Sequence, residues 1–413
     1  MRKIKQLIQY CVLTSCFLIA VSLSSCAQKQ SEALLTGAER FEEYIPLLNQ
    51  KKVAVVANQS SLVKGEHLVD ALLAKDIQIT KIFSPEHGFR GDADAGEKIT
   101  NGLDVKTGLP IVSLYGKHFK PSAADLKDID VVLFDIQDVG VRFYTYISTL
   151  HYVMEACAEQ GKQVIVLDRP NPNSHYVDGP VLEMKYRSFV GMHPVPVVYG
   201  MSIGEYAQMI NGEKWLKNKV QCELVVVPCK NWNRDDAYLL PVKPSPNLPN
   251  HLSVSLYPSL CFFEGTVVSA GRGTEYPFQA YGHPAFTNGD CEFTPQSISG
   301  ASKYPKFEGE KCIAYDLRKI NPEDFRKKKK LDLSFLLNAY SELKAKPDFF
   351  NSFFENLAGT AKLRTQIENS LSEAEIRNSW ESDRNKFMTI RAKYLIYPDF
   401  AEERIERETE APE

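Results

Sequence analysis

Two carboxylates, each set in a short rigid segment with cationic or aromatic neighbours, are the groups in this chain best suited to chemistry. The first is Glu86, in Ser84-Pro85-Glu86-His87-Gly88-Phe89-Arg90-Gly91. Pro85 and Gly88 fix a turn, and His87 and Arg90 lie close in sequence. A carboxyl group held rigidly at a sheet edge and desolvated by its surroundings is what general acid catalysis needs. The plainer alternative is a structural ion pair between Glu86 and Arg90. The second carboxylate is Asp138, in Asp135-Ile136-Gln137-Asp138-Val139-Gly140-Val141-Arg142, with Tyr144 and Tyr146 just beyond. Asp138 serves either as the partner of Glu86 in acid–base work or as the cap of the helix that follows. Arg142 is either a bidentate clamp for an anion or an ion-pair partner of Asp138.

Other polar segments share this layout. Asp168-Arg169-Pro170-Asn171-Pro172-Asn173 is stiffened by its prolines. The Asn171 and Asn173 amides suit sugar hydroxyls, although Asn-Pro is also ordinary turn chemistry. Asn58-Gln59 ends an apolar run. In the second half, Pro244-Ser245-Pro246-Asn247-Leu248-Pro249, Glu264-Gly265-Thr266 and Ser269-Ala270-Gly271-Arg272-Gly273-Thr274-Glu275 read as loops able to close over the first half. From these segments Asn247, Glu264, Arg272, Thr274 and Glu275 join the candidate binding residues.

The elements that must hold these groups alternate. Lys52–Asn58, Ile77–Phe83, Ile111–Tyr115, Ile129–Asp135, Gln163–Asp168 and Glu223–Val227 have the pattern of buried strands, with Val195–Tyr199 as one more. Between them, 68–75, 144–160 and 202–215 have helical spacing, and Ser122–Asp125 and Ser202–Glu205 are capping boxes. The pattern predicts an α/β domain over 35–235, with a mostly parallel sheet covered by helices on both faces. Ligands bind beyond the carboxyl ends of such strands, where four of the polar segments converge. A Pro- and Asn-rich stretch then leads into a smaller α+β domain over 236–413, with helices at 331–343 and 373–397.

Composition excludes other classes. The net charge of −3 lacks the strongly basic face that nucleic-acid binding requires. No G-x-G-x-x-G follows the first strand, no G-x-S-x-G is present, and no His or Cys spacing suits zinc, so neither cofactor nor metal is expected. Six cysteines follow Cys26, and buried free thiols are the expectation for a chain with this much apolar core. Arg2, Lys3 and Lys5 precede an apolar stretch ending in Leu23-Ser24-Ser25-Cys26. That is the layout of a signal peptide over 1–25 with Cys26 as the acylated N-terminus, followed by a tether over 26–34. The expected setting is the cell envelope, lipid-anchored and facing the periplasm.

Taken in order, these segments carry a resemblance. Ser84–Gly88, Asp135–Tyr146, Asp168–Pro172, Gly200–Glu205, Pro244–Asn247, Glu264–Thr266, Gly271–Thr274 and Tyr394–Pro398 together resemble the NamZ-type exo-β-N-acetylmuramidases over most of residues 40–400. The resemblance implies a Rossmann-like domain, a smaller second domain and an active site in the cleft between them. It implies release of N-acetylmuramic acid from the non-reducing end of peptidoglycan fragments, with Glu86 as the catalytic glutamate. Many relatives have His-Gly-Met where this chain has Tyr199-Gly200-Met201, which bears on sugar preference if that position touches substrate. An enzyme choosing muramic acid over glucosamine needs a cation for the lactyl carboxylate, and Arg142 or Arg272 is the expected one. The rival readings are a non-catalytic lipoprotein that captures sugars or muropeptides, and an amidase or esterase of wall peptides.

Overall fold

Five consecutive apolar residues, Val53–Ala57 (β1), start the central sheet, and all five are buried. A strand with no polar face must be covered on both sides. The alternation along it decides the two layers. Val53, Val55 and Ala57 enter one apolar cluster, and Ala54 and Val56 enter another. The computed structural model describes residues 33–86, 88–90, 102–344 and 348–400. The proposed signal peptide, Cys26, His87 and the charged tail lie outside these residues.

Six further strands complete the sheet: Ile79–Ser84 (β2), Gly102–Leu103 (β3), Pro110–Ser113 (β4), Val131–Asp135 (β5), Gln163–Leu167 (β6) and Leu224–Val227 (β7). Their spatial order is β3-β4-β2-β1-β5-β6-β7. All pairings are parallel except β3 with β4. On one face lie Phe41–Leu48 (α1) and Leu68–Leu73 (α2), which bury Tyr44, Leu48, Leu68 and Leu72. On the other lie Tyr146–Glu159 (α3) and Ile203–Gly212 (α4), burying Ile147, Leu150, Met154 and Tyr206. The capping box at Ser202 starts α4: the Ser202 hydroxyl accepts from the Glu205 N–H, and the Glu205 carboxylate accepts from the Ser202 N–H.

The second half contains His251–Leu260 (α5), then an antiparallel sheet of Ala280–His283 (β8), Cys291–Phe293 (β9) and Cys312–Asp316 (β10) in the order β8-β10-β9. Helices follow, including Ser334–Glu342 (α6) and Glu373–Arg391 (α7). The apolar cluster under α3 and α4 runs without a break into Leu256, Phe262, Phe354 and Phe387 of this half. The chain's end also returns to the first half. The Tyr397 hydroxyl donates to Asp168 at 2.6 Å, and the Ile396 N–H donates to Glu205 at 2.9 Å. From Leu35 onward the described chain forms one compact unit.

The α/β reading, with a mostly parallel sheet and a smaller second region, matches this architecture. One expected strand is absent: Val195–Tyr199 is irregular and pairs only through isolated bridges from Val198 to Val141 and Asp178. Pro194 and Pro196 remove the N–H donors that a ladder would need. All six described cysteines are free thiols; five are buried, and Cys291 is half-buried.

Candidate active site

The sheet's winding reverses between β1 and β5. β2 and β4 lie to one side of β1, and β5, β6 and β7 to the other. The register pairs Val56 with Phe83 and Ala57 with Asp135, so the strand ends are level. A crevice opens at such a switch point.

Glu86 stands two residues beyond β2 and is half-buried. The Gly88 N–H closes the turn on the Pro85 carbonyl at 3.3 Å, and Gly88 takes φ 80°, a left-handed value natural to glycine. Tyr115, from the loop after β4, donates its hydroxyl to Glu86 Oε1 at 2.8 Å. Thr145, the residue before α3, donates to Oε2 at 3.2 Å. Each carboxylate oxygen is thus oriented by a different strand–loop unit. Burial, with the Glu86 charge beside it, raises the Tyr115 hydroxyl pKa, so Tyr115 remains a donor.

A cavity of about 120 Å³ opens beside Glu86. Tyr144, Tyr146, Tyr257 and Phe278 form its aromatic wall, with Asn247 and the Glu264–Arg272 pair opposite in sequence half. The Tyr144 hydroxyl donates to the Pro244 carbonyl at 2.6 Å, so the wall joins both halves of the chain. Arg272 Nη1 lies 3.2 Å from Glu264 Oε2, and both side chains are a quarter exposed. Asn247 Nδ2 donates to the Ala301 carbonyl at 2.6 Å, while its Oδ1 is buried without a partner. The Tyr146 hydroxyl, in the same wall, is buried beside the side chains of Tyr144 and Asn58, which are within its hydrogen-bonding reach. An unpartnered buried atom such as Asn247 Oδ1 costs roughly 1–3 kcal/mol unless a ligand meets it. An unpartnered amide oxygen beside an aromatic cavity suits a ligand that is polar on one edge and apolar on its face.

Asp138 lies behind this wall. It is 2% exposed, and its Oδ2 accepts from the Gly140 N–H at 2.7 Å and from the Tyr199 hydroxyl. Its Oδ1 has no partner, and burial pushes its carboxyl up to about 6. It acts electrostatically on Tyr144 and Tyr146, which do line the cavity. The helix-cap alternative is corrected: α3 starts at Tyr146 with Thr145 as its N-cap, and Asp138 instead ties its own loop. Tyr199 is fully buried on Asp138, so the Tyr199-Gly200-Met201 departure sits behind the wall rather than in the cavity.

Several expected binding residues serve the frame instead. Arg142 is fully buried and donates to the carbonyls of Pro180, Val195 and Leu357 at 2.7–2.8 Å. Burial lowers its pKa to about 9, and it neither lines the cavity nor pairs with Asp138. Arg90 grips Asp104 with two bonds of 2.8 Å and reaches Asp70, holding the Asp104 carboxyl down at about 2. Asn171 donates to the Met201 carbonyl at 2.8 Å, and Asn173 to those of Val139 and Val254 at 2.9 and 3.2 Å. Thr274 closes a turn on the Gly271 carbonyl at 2.7 Å, and Glu275 is exposed; neither lines the cavity. Glu86, Tyr144, Tyr146, Asn247, Glu264 and Arg272 are the expected residues that the structure gathers there.

The sequence reading missed Tyr115, Thr145, Tyr257 and Phe278. Tyr115 had a signal, because it ends a strand whose neighbours supplied site residues. Thr145 lay between two residues already singled out. Tyr257 and Phe278 come from α5 and a loop of the second half, and nothing local marks them. Among the described residues no group of three or more His, Cys, Asp or Glu side chains is gathered for a metal ion.

A rim carboxylate oriented by two hydroxyls beside an aromatic, amide-bearing cavity is an arrangement that suits a glycosidase, and comparison with known proteins shows that class. Residues 53–252 match the family model of the exo-β-N-acetylmuramidase NamZ N-terminal region, and 255–397 match that of the C-terminal region. The chain belongs to this NamZ family. The peptidoglycan β-N-acetylmuramidase NamZ of Bacillus subtilis (strain 168) is 39% identical over 373 residues, which cover 86% of this chain and 89% of that protein. A crystal structure of a DUF1343 family protein from Bacteroides fragilis NCTC 9343 is 46% identical, with a TM-score of 0.83 over 89% of this chain and 99% of its own. A second DUF1343 family protein from the same strain is 29% identical, with a TM-score of 0.73 over 88% and 99%.

Proposed function

We propose that this protein is an exo-β-N-acetylmuramidase that removes N-acetylmuramic acid from the non-reducing end of peptidoglycan fragments, with Glu86 as the proton donor. The observation that carries the reading is the Glu86 carboxylate, fixed by Tyr115 and Thr145 at the mouth of an aromatic cavity. Family membership supports the substrate class. Glycoside hydrolysis needs a proton on the departing oxygen and stabilisation of a cation-like ring. Glu86 supplies the first. The electron-rich faces of Tyr144, Tyr146 and Tyr257 and the Glu264 carboxylate favour the second. Asp138, closed off behind the wall, accepts from the Gly140 N–H and the Tyr199 hydroxyl and so shapes the loop that carries Tyr144 and Tyr146 rather than touching the sugar. Water then completes hydrolysis, either directly with Glu264 as its base or after a first attack by Glu264 or by the substrate's own acetamido oxygen. Arg272, the guanidinium that lines the cavity, takes the lactyl carboxylate.

The N-terminal pattern ending at Cys26 supports an exported, lipid-anchored enzyme in the cell envelope. Among the described residues no helix is long and apolar enough to cross a membrane. Metabolic labelling with a fatty-acid analogue should tag the wild-type protein and not Cys26→Ser; equal labelling of both, or of neither, would refute the anchor.

The activity is tested with two wall fragments, one with muramic acid at the non-reducing end and one capped there by glucosamine. Free N-acetylmuramic acid is expected from the first only. Release from neither refutes the activity, and binding without release would favour the sugar-capturing lipoprotein.

A further inference from the structure

Glu264 and Arg272, which line the inner cavity, also line a second one of about 260 Å³. The two share that ion pair as a common wall. Their surroundings differ. The inner cavity is walled by buried residues, including Tyr144, Tyr146 and Phe278, at 7, 2 and 3% exposure. The outer one is bordered by the exposed Lys303 and by Tyr304, a residue that is 82% exposed and has the Lys303 ammonium over one ring face at 5.8 Å from the centroid. Together their volumes fall in the roughly 300–1,000 Å³ range of pockets that enclose a whole small ligand.

Tyr304 is exposed, but the loop that carries it is anchored on both sides. Before it, Ile298 and Ser302 exchange two backbone bonds of 2.9 Å, and the Ala301 carbonyl accepts from Asn247, a residue of the inner cavity. The Ser297 hydroxyl holds the Lys303 carbonyl at 2.8 Å. After it, Lys306 spends all three ammonium donors on the carbonyls of Phe263, Thr266 and Val268 at 2.7–3.0 Å. An aromatic ring left in water on a fixed loop at a cavity mouth is placed to stack on an apolar sugar face.

We infer that the outer cavity is the leaving-group subsite, in which Tyr304 is a platform for the sugar on the reducing side of the cleaved bond. This rests on the muramidase reading. An enzyme that works from a chain end must enclose the terminal sugar and let the remainder lead outward. The cavity at Glu86 has the buried aromatic wall, and the cavity at Tyr304 has the exposed Lys303 and Tyr304 on its border, which gives that order. Glu264 and Arg272, common to both cavities, then stand with Glu86 near the bond between the two sugars; Glu86 and Arg272 both act electrostatically on Tyr115.

The test compares two substrates in wild type and Tyr304→Ala. One is a muramyl–glucosamine disaccharide, which fills both chambers. The other is a β-muramyl fluoride, whose leaving group is a single atom and cannot reach the platform. The ratio of kcat/KM for the disaccharide to that for the fluoride should fall about tenfold in the variant, chiefly through KM of the disaccharide. Tyr304→Trp should restore the ratio, which a merely structural role would not require. An unchanged ratio, or an equal fall for both substrates, overturns the inference. Saturation-transfer NMR with free N-acetylglucosamine reads the platform without turnover. Transfer to the sugar should be seen with wild type and lost in Tyr304→Ala; equal transfer with both overturns the inference. If wild type cleaves neither substrate, the activity reading fails, while the NMR comparison still decides the role of Tyr304.

Discussion

Glu86 and Asp138 carry the same functional group and are set up for opposite purposes. Glu86 meets the cavity with both oxygens held by hydroxyls. Asp138 is enclosed, with one oxygen unpartnered. Removing one hydroxyl from Glu86 should loosen the carboxylate proposed as the proton donor without emptying the site. Tyr115→Phe is expected to lower kcat by about tenfold with a smaller change in KM; an unaltered kcat would show that Tyr115 does not position the acid. Asp138 instead affects stability. Its carboxyl titrates at 3.8 when unperturbed and at about 6 in the fold. Between these values the folded protein keeps a proton that the unfolded chain has released. Stability therefore falls as pH rises from 3.8 to about 6, and the full cost is present above that. Asp168, also pushed up to about 6 by burial, adds a term of the same sign. Asp138→Asn keeps both acceptor contacts through its amide oxygen and removes the buried charge. Near neutral pH it should stabilise the fold by on the order of 1–3 kcal/mol, and the gain should shrink towards pH 4. A gain independent of pH in thermal melts would contradict this. Glu86 was legible in the sequence because its rigid turn is contiguous. Arg142 was misread because a guanidinium tied to three carbonyls and one that grips a ligand have the same local sequence.

The loop from β5 to α3 converts strand position into site geometry. Gly140 takes φ 75°, and a Cβ there would overlap the Asn171 side-chain amide. Gly140→Ala should therefore cost roughly 2 kcal/mol or more and also displace Asp138, which its N–H holds. Wild-type stability in denaturant unfolding would exclude the packing argument. At the other end of the loop, Arg142→Met removes the guanidinium donor from the carbonyls of Pro180, Val195 and Leu357, of which Val195 keeps the Leu182 N–H. A loss of roughly 3 kcal/mol or more is expected; a stable variant that had merely lost discrimination between sugars would restore the clamp reading. The strands were readable because each is an apolar run ending in polar residues. Val195–Tyr199 was not, because its composition is that of a strand while its two neighbouring prolines deny it a ladder. The cavity's Tyr257 and Phe278 were hidden for a related reason: on α5 and in a loop, an aromatic residue reads as core whether or not one edge faces a ligand.

At the scale of the molecule, the two halves share one apolar core, and the chain's last described segment locks onto the first half through Tyr397 and Asp168. The site needs both halves. Glu86, Thr145, Tyr144 and Tyr146 come from the sheet's rim, and Asn247, Glu264 and Arg272 from the other side. Arg272→Ala should lower the preference for muramides over glucosaminides by roughly tenfold in kcat/KM, through loss of the lactyl contact. An unchanged preference would place the selecting cation elsewhere. This convergence across the chain is what local patterns could not foresee, since no short segment contains two of its walls. The central claim concerns the proton that Glu86 gives to the departing sugar oxygen. Its most direct test is turnover of a muramyl–glucosamine disaccharide by Glu86→Gln, with the fold checked by circular dichroism. The account predicts a loss of at least ~10²-fold in kcat, and a smaller loss on a nitrophenyl muramide, whose leaving group needs less help. A folded variant that cleaves the disaccharide at near the wild-type rate would contradict it.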